Sequence, residues 1–452
     1  MEVEMHAVFF IPGIMGTRLL GADGQEVWPP TLIETQVGYR RTDQLLAESV
    51  RHGEIIRNVS CFSFYGPILD QLKDLGFRED GGHKRLYQFP YDWRKDLEDT
   101  AQLLADQIDA AESAGASQIS LVAHSMGGLV ARLLLEGGKY DQKPWYEKVK
   151  NLIALAVPHQ GAPLALARIL GVDSSLGISK SDFQRIAGDS RYPSGYQLLP
   201  CAEEGACWEQ STEGLQPVDF FNPLVAQRLG LDSELLERAR YVHQRLNTKP
   251  PPQHIRYFYF AGTGHETVTR INVYLDDAGN VDRDRIIVTR TNHSGDGTVP
   301  MWSALPRAGQ REVVIGEHSS VFAGMPFKRV FYRLLGGNLG SALETLGERD
   351  DPMRLSIASP IVECGCEFEI LLVPGTPITE IVGKLVLQSM EKDGTTIRGE
   401  ETLADVTYRG PPVANLRLVV GPLHHPGLFR LAFEGAPRNV APLGFAVARL
   451  EP

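Results

Sequence analysis

The stretch Ile119-Ser120-Leu121-Val122-Ala123-His124-Ser125-Met126-Gly127-Gly128-Leu129-Val130-Ala131 is where this chain is best equipped for chemistry. An apolar run leads into Ser125 and a helical pattern begins directly after it. That is the layout of a nucleophile elbow, in which a serine sits on a strained strand-to-helix turn. The residues two before and two after it must be small, here Ala123 and Gly127. Ala123 departs from the usual glycine and is its smallest replacement. A serine hydroxyl is a weak nucleophile at neutral pH, so it needs a base, and the base needs an orienting carboxylate. In this layout the order along the chain is serine, then acid, then histidine. Ser294-Gly295-Asp296-Gly297-Thr298-Val299-Pro300 offers a carboxylate on a glycine-flanked turn. Glu312-Val313-Val314-Ile315-Gly316-Glu317-His318 reads as a last strand followed by a loop histidine. The expected catalytic set is therefore Ser125 as nucleophile, His318 as base and acid, and Asp296 as the orienting carboxylate.

The competitors fit less well. His159 follows a strand but comes too early in the order, and reads as a loop element near the site. His265 and His293 precede Asp296, and His424 and His425 lie far downstream. Asp276, Asp277 and Asp282 fall in or near a hairpin turn, where acids are usually solvated. Acyl transfer also needs donors for an oxyanion. The backbone N–H of Met126, just after the nucleophile, is one candidate. The other lies in Phe10-Ile11-Pro12-Gly13-Ile14-Met15-Gly16, a buried strand ending in a glycine turn, with Ile14 as the donor.

Strands are expected at 8–11, 86–89, 119–123, 152–157, 255–261 and 312–315, alternating with helical patterns at 65–75, 97–114, 127–136 and 326–335. Such alternation implies an α/β architecture, a mostly parallel sheet covered by helices on both faces. Two stretches interrupt it. Residues 17–60 are polar and irregular, and 158–254 are rich in Pro, Gly and aromatics. Insertions of this length often form lids or binding elements. Trp28 in the first and His159 in the second are expected to contact substrate. Residues 268–289 read as an inserted hairpin.

Beyond about residue 345 the pattern changes. A charged run at 347–352 reads as a linker. Short alternating strands follow at 355–358, 367–373, 381–387, 416–420, 428–433 and 445–450, which fits a β-sandwich. The division expected is 1–345 (lid about 17–60, cap about 158–254) and 352–452.

The 452 residues include 56 Asp+Glu against 45 Lys+Arg, a net charge of −11. That field disfavours non-specific binding to nucleic acid or to anionic membranes. No uninterrupted apolar run reaches the length of a membrane span. The N-terminus has no basic region and its apolar run ends at Pro12-Gly13, so it reads as a strand rather than a signal peptide. With an odd, sparse set of five cysteines, the reading is a reducing, cytoplasmic compartment. Cys364 and Cys366, two apart on an expected strand, would share a face ~6.5–7 Å apart, at or beyond disulfide reach. No zinc-like ligand spacing is present. Ala261-Gly262-Thr263-Gly264 lacks the third glycine of a nucleotide site, so no cofactor and no metal are expected.

Pro12-Gly13-Ile14-Met15-Gly16, Phe89-Pro90-Tyr91-Asp92-Trp93-Arg94, Ala123-His124-Ser125-Met126-Gly127-Gly128, Gly295-Asp296-Gly297-Thr298-Val299-Pro300 and a late His318 come in one order. In that order they resemble the lecithin:cholesterol acyltransferase family, over about residues 6–335. The resemblance implies an α/β-hydrolase fold, the Ser125–Asp296–His318 triad, an oxyanion hole at Ile14 and Met126, a lid around 28–61, and acyl chains of glycerolipids as substrate. Members with a lid disulfide differ from this chain, where Cys61 stands alone in that region. Asp92 and Arg94 read as a structural pair and Trp93 as a wall beside the elbow. The C-terminal β domain lies outside the resemblance.

The resulting expectation is a serine esterase of lipid-like esters, a phospholipase, lipase or acyltransferase, with peripheral contact with lipid surfaces and no nucleic-acid partner. A small-ester carboxylesterase and an inactive hydrolase scaffold acting through its β domain are the alternatives.

Overall fold

The computed structural model describes residues 4–59, 62–201, 204–211, 214–275, 280–306, 310–337, 353–391, 394–436 and 440–449. The hairpin turn at 276–279, the linker at 347–352 and Cys61 lie outside them.

Six strands form one parallel sheet, in the order Gln310–Ile315, Arg256–Thr263, Val149–Leu155, Ala116–His124, Met5–Ile11, Lys84–Gln88. The near-continuous apolar sequences of Met5–Ile11, Ala116–His124 and Val149–Leu155 follow from burial on both faces, while the edge strands Lys84–Gln88 and Gln310–Ile315 are more polar. Along Met5–Ile11, Ala7, Phe9 and Ile11 enter one core, with the helices Leu97–Ser113 and Met126–Glu136. The alternating Val8 and Phe10 enter another, with the helices Gly66–Asp74 and Met325–Leu334. Helix Leu97–Ser113 starts where the Asp96 carboxylate accepts from the Glu98 N–H, and Gly115 at φ +100 follows its end.

The early insertion is more ordered than its polar sequence suggests. Thr17–Leu20, Glu26–Trp28 and Arg51–Ile55 form a small sheet. A short helix, Leu32–Val37, begins with a capping box between Thr31 and Glu34. Strands of three to five residues carry too little periodicity to be read from sequence. The second insertion contributes the helices Pro163–Ile169, Lys180–Ala187, Pro223–Leu229 and Ser233–Leu246. Its strands Cys207–Ser211 and Gly214–Pro217 extend the hairpin His265–Val273/Ile287–Gly295 into a four-stranded sheet.

At the C-terminal end, Arg354–Ser356, Phe368–Val373 and Leu416–Val420 form one sheet. Ile361–Glu363, Leu443–Ala448, Gly427–Ala436, Ile378–Met390 and Ile397–Val413 form another. Ile370 and Leu372 of the first sheet share a core with Leu385, Leu431 and Phe445 of the second. Ile397–Val413 escapes sequence reading because it is a largely exposed edge strand rich in charge, including Arg398, Glu400 and Glu401. Charge on an edge discourages further pairing. The expected shared strand face for Cys364 and Cys366 is corrected. The strand ends at Glu363, Gly365 adopts φ +86, and both cysteines lie in the turn. Among the described residues no helix is long and apolar enough to cross a membrane.

Candidate active site

Ser125 stands between the strand Ala116–His124 and the helix Met126–Glu136 with φ 52 and ψ −129. For a residue with a side chain this conformation costs on the order of 1–3 kcal/mol, which the surroundings must hold in place. The Ser125 N–H donates to the Leu155 carbonyl at 2.8 Å. A β-carbon on Gly127 would lie 2.3 Å from the Pro12 carbonyl oxygen, and one on Gly13 would lie 2.7 Å from Ser125 Cβ. The elbow and the first loop are therefore pressed together through two glycines. Ala123 is accommodated because it pairs with the equally small Ala154 on one side and Ile11 on the other.

His318, three residues past the last strand, brings its Nε2 to 2.8 Å from Ser125 Oγ. Its Nδ1–H donates to Asp296 Oδ2 at 2.8 Å. Asp296 is fully buried, and its other oxygen accepts from the N–H groups of Thr298 and Val299 at 3.0 and 2.7 Å. The His318 N–H also donates to the Asp296 carbonyl at 2.9 Å. A β-carbon on Gly262 would come within 2.6 Å of Asp296 Cβ. Gly262 thus makes room for the acid turn. This arrangement can take the serine proton onto Nε2 while the carboxylate holds the Nδ1–H tautomer.

His124 and Tyr65 are the site residues that sequence reading overlooks. Tyr65 O–H donates to His124 Nδ1 at 2.8 Å, and His124 Nε2–H donates to the His318 carbonyl at 2.9 Å. The phenol oxygen accepts from the Gly13 N–H at 2.9 Å. One chain of hydrogen bonds thus ties the first loop, the elbow and the base loop together. Burial holds the His124 imidazole well below its usual range, and nearby His318 adds to this. His124 was visible beside the nucleophile, but nothing in the sequence around Tyr65 signals its role.

The first loop is further pinned by Trp28, whose indole N–H donates to the Met15 carbonyl at 2.8 Å. Ile14 and Trp28 both line the cleft that holds Ser125 and His318. Met126 buries its side chain in the core, so only its backbone at the helix start is available to the site. His159, the other residue expected to contact substrate, is placed apart from this cleft. His159 lies outside the cleft lining, buried edge-on to Tyr259 with ring centroids 5.0 Å apart. Desolvation keeps it well below the normal histidine range. The loop following Val149–Leu155 turns its histidine inward, against Tyr259 of the sheet.

Asp92 and Arg94 form a two-pronged pair, Nε–Oδ1 at 2.8 Å and Nη2–Oδ2 at 2.6 Å. Arg94 is 1% exposed, donates to the Leu45 carbonyl and lies 4.2 Å from the Tyr192 ring centroid. This pair joins the core to both insertions. Trp93 packs edge-on to Trp28 at 5.3 Å.

The cleft, about 270 Å³, is walled by the first loop, the early insertion, the second insertion and the C-terminal end. A mostly apolar branch of about 90 Å³ runs from Ser125 along the second insertion, past Ile169, Phe183 and Ile186. On the cleft wall, Arg168 and Arg290 share the single carboxylate of Asp173 at 3.2 and 2.9 Å. Glu317, beside His318, is pushed up to about 7 by burial, with the Ser319 hydroxyl donating to it at 2.8 Å.

Residues 54–215 match the family model described as lecithin:cholesterol acyltransferase. The chain is 24% identical over 319 residues to lecithin-cholesterol acyltransferase-like 4 of Arabidopsis thaliana. That match takes in 59% of this chain and spans only 57% of the relative's own length. A chain in the crystal structure of the Tle4–Tli4 complex is similar in fold, with TM-score 0.53 at 15% identity, over 74% of this chain and 99% of that one. The mature form of Bacillus licheniformis lipase BlEst2 aligns with TM-score 0.39 at 13% identity, over 74% of this chain and 93% of that one. With the ordered motifs and the parallel sheet, these findings show a chain similar to the lecithin:cholesterol acyltransferase family over part of its length and built on the α/β-hydrolase fold.

Proposed function

We propose that the protein is a serine esterase of lipid-like esters working through an acyl-enzyme. The observation that carries this reading is the unbroken hydrogen-bonded series Ser125, His318, Asp296 at the floor of a largely apolar cleft. Ser125 Oγ attacks the ester carbonyl as its proton passes to His318 Nε2. The oxyanion accepts from the backbone N–H groups of Ile14 and Met126, each worth ~3 kcal/mol in such sites. The alcohol part leaves with the proton from His318, and the acyl group stays on Ser125. Water then releases a fatty acid, or an alcohol takes the acyl group. The Asp296 carboxylate steadies the imidazolium.

Residues 1–345 form the catalytic unit in this reading, with 17–60 as lid, 158–254 as cap and 352–452 as an added β unit. Trp28 steadies the first loop and faces the substrate. The apolar branch beneath the cap suits an acyl chain, and the two arginines sharing one carboxylate suit a polar, anionic end. Both features favour a lipid over a small ester. Contact with a lipid surface is peripheral, and Ile33, more than half exposed on the lid helix, is suited to it.

The test is incubation with vesicles of mixed phospholipid and neutral lipid, with and without a long-chain alcohol, followed by product analysis. Free fatty acid or alkyl ester that vanishes in Ser125→Ala supports the reading. Products unchanged in that variant, or none from the wild type, would refute it.

A further inference from the structure

The segment 354–361, at the entry to the C-terminal sheets, touches each of the turns that carry the acid and the base. Arg354 Nη2 donates to the carbonyl of Ile315, the residue from which the His318 loop departs, at 2.7 Å. Its guanidinium runs beside Gly324, where a β-carbon would come within 3.0 Å of Nε. Ser356 shares a buried 2.8 Å hydrogen bond with His265 Nε2. His265 in turn pairs across the hairpin with Gly295, next to Asp296. A β-carbon on Gly297, the residue after the acid, would lie 2.8 Å from the Ala358 carbonyl oxygen. The chain then runs along the cleft itself, where Ser359, Pro360 and Ile361 form a wall shared with Ser125 and His318. That wall is fixed from behind by the Ala446 N–H, which donates to the Pro360 carbonyl at 2.9 Å.

From these contacts we infer that the C-terminal β unit completes the active site rather than serving as an appended module. Arg354 and Ser356 act as positioning residues for the base and acid turns. Ser359, Pro360 and Ile361 set how long or bulky a chain the cleft admits beside Ser125. Three independent contacts land on the base loop, the acid turn and the hairpin strand paired beside it, and the same short segment supplies a wall. A unit that merely covered an apolar face would have no reason to place its polar side chains on those turns. The inference rests on Ser125 being the nucleophile.

Two variants of the full chain test it, read with a pair of fluorophosphonates bearing an ethyl or a dodecyl chain and with p-nitrophenyl butyrate and laurate. Ser359→Trp adds bulk to the wall. It is expected to lower the dodecyl-to-ethyl labelling ratio at least tenfold, while Val419→Trp, on an exposed strand face outside the cleft lining, leaves that ratio unchanged. Arg354→Met is expected to lower kcat about tenfold with KM within twofold, and Arg354→Lys to recover part of the loss. Thermal melts establish that each variant is folded. An unchanged ratio in folded Ser359→Trp, or unchanged kcat in folded Arg354→Met, would overturn the inference while leaving the esterase reading intact. A wild type that neither probe labels would overturn both. If Ser359→Trp fails to fold, Ile361→Ala reads the same wall in the opposite direction, with the ratio expected to rise and an unchanged ratio counting against the inference.

Discussion

The side chain of His124 holds the backbone of His318, with Nε2 donating to that carbonyl at 2.9 Å. The residue before the nucleophile thereby fixes the residue that must take its proton. Tyr65 closes the circuit by bonding both His124 and the Gly13 N–H. Replacing Tyr65 with Phe leaves a buried imidazole nitrogen and a buried amide without partners. Such orphaned groups cost about 1–3 kcal/mol. The expected outcome is a stability loss of that size in chemical denaturation and a drop in kcat of roughly tenfold. A variant as stable and active as the wild type would show that the circuit is dispensable.

Gly127→Ala tests the fit of the elbow. Its β-carbon would meet the Pro12 and Ile11 carbonyl oxygens at 2.3 and 2.7 Å, backbone atoms that cannot swing aside. Activity should fall by orders of magnitude. Ser125→Thr retains the hydroxyl and serves as the comparison. Wild-type turnover in Gly127→Ala would mean that the first loop moves freely.

Arg94→Met leaves the Asp92 carboxylate without its partner at a site that is almost fully enclosed. Breaking a buried pair on one side costs about 3–5 kcal/mol. The melting temperature should fall by several degrees or more. Kinetics on the surviving folded fraction should change mainly for long-chain esters, because Arg94 also lines the apolar branch that runs from Ser125.

Acid should weaken the fold through its buried imidazoles. Burial holds His6 and His265 at about 4, against 6.5 for a free histidine. The folded state binds these protons less readily than the unfolded chain, so stability is full above pH 6.5 and is lost as pH falls from there toward 4. Ser356, Asp296, His293 and Arg354 are the groups facing His265. His265→Asn should flatten the stability curve in that window, measured by urea denaturation between pH 4 and 7. An equally steep curve in the variant would assign the acid sensitivity elsewhere.

The sheet was legible from sequence because its inner strands are apolar on both faces and the strands are followed by a turn or an amphipathic helix. The site was legible where chemistry demands rare local patterns, namely a serine between small residues, an aspartate between glycines and a histidine after a last strand. Tyr65 was not, since an isolated aromatic ahead of a helix reads as core. Arg354, Ser356 and Ser359 were illegible for a different reason. Their partners lie far away in sequence, so only the folded chain brings them to the site. The placement of His159 was not legible, because nearness in sequence to a site-forming strand does not decide which side of the loop a ring takes. The strands of the early insertion are short, and the long edge strand Ile397–Val413 is polar, so neither carries the alternation from which strands are read.

Asp296→Asn isolates the role of the carboxylate. The amide can still accept from Thr298 and Val299, but it can donate to Nδ1 and stabilise the wrong imidazole tautomer. A loss on the order of 10⁴ in kcat is expected from the behaviour of such triads. A loss below tenfold would assign the orienting role to another group.

The most direct measurement is peptide mapping by mass spectrometry after stoichiometric reaction with a fluorophosphonate. The label is expected on Ser125, with reaction lost in His318→Ala. Modification at any other residue, or none in the folded wild type, would contradict the account.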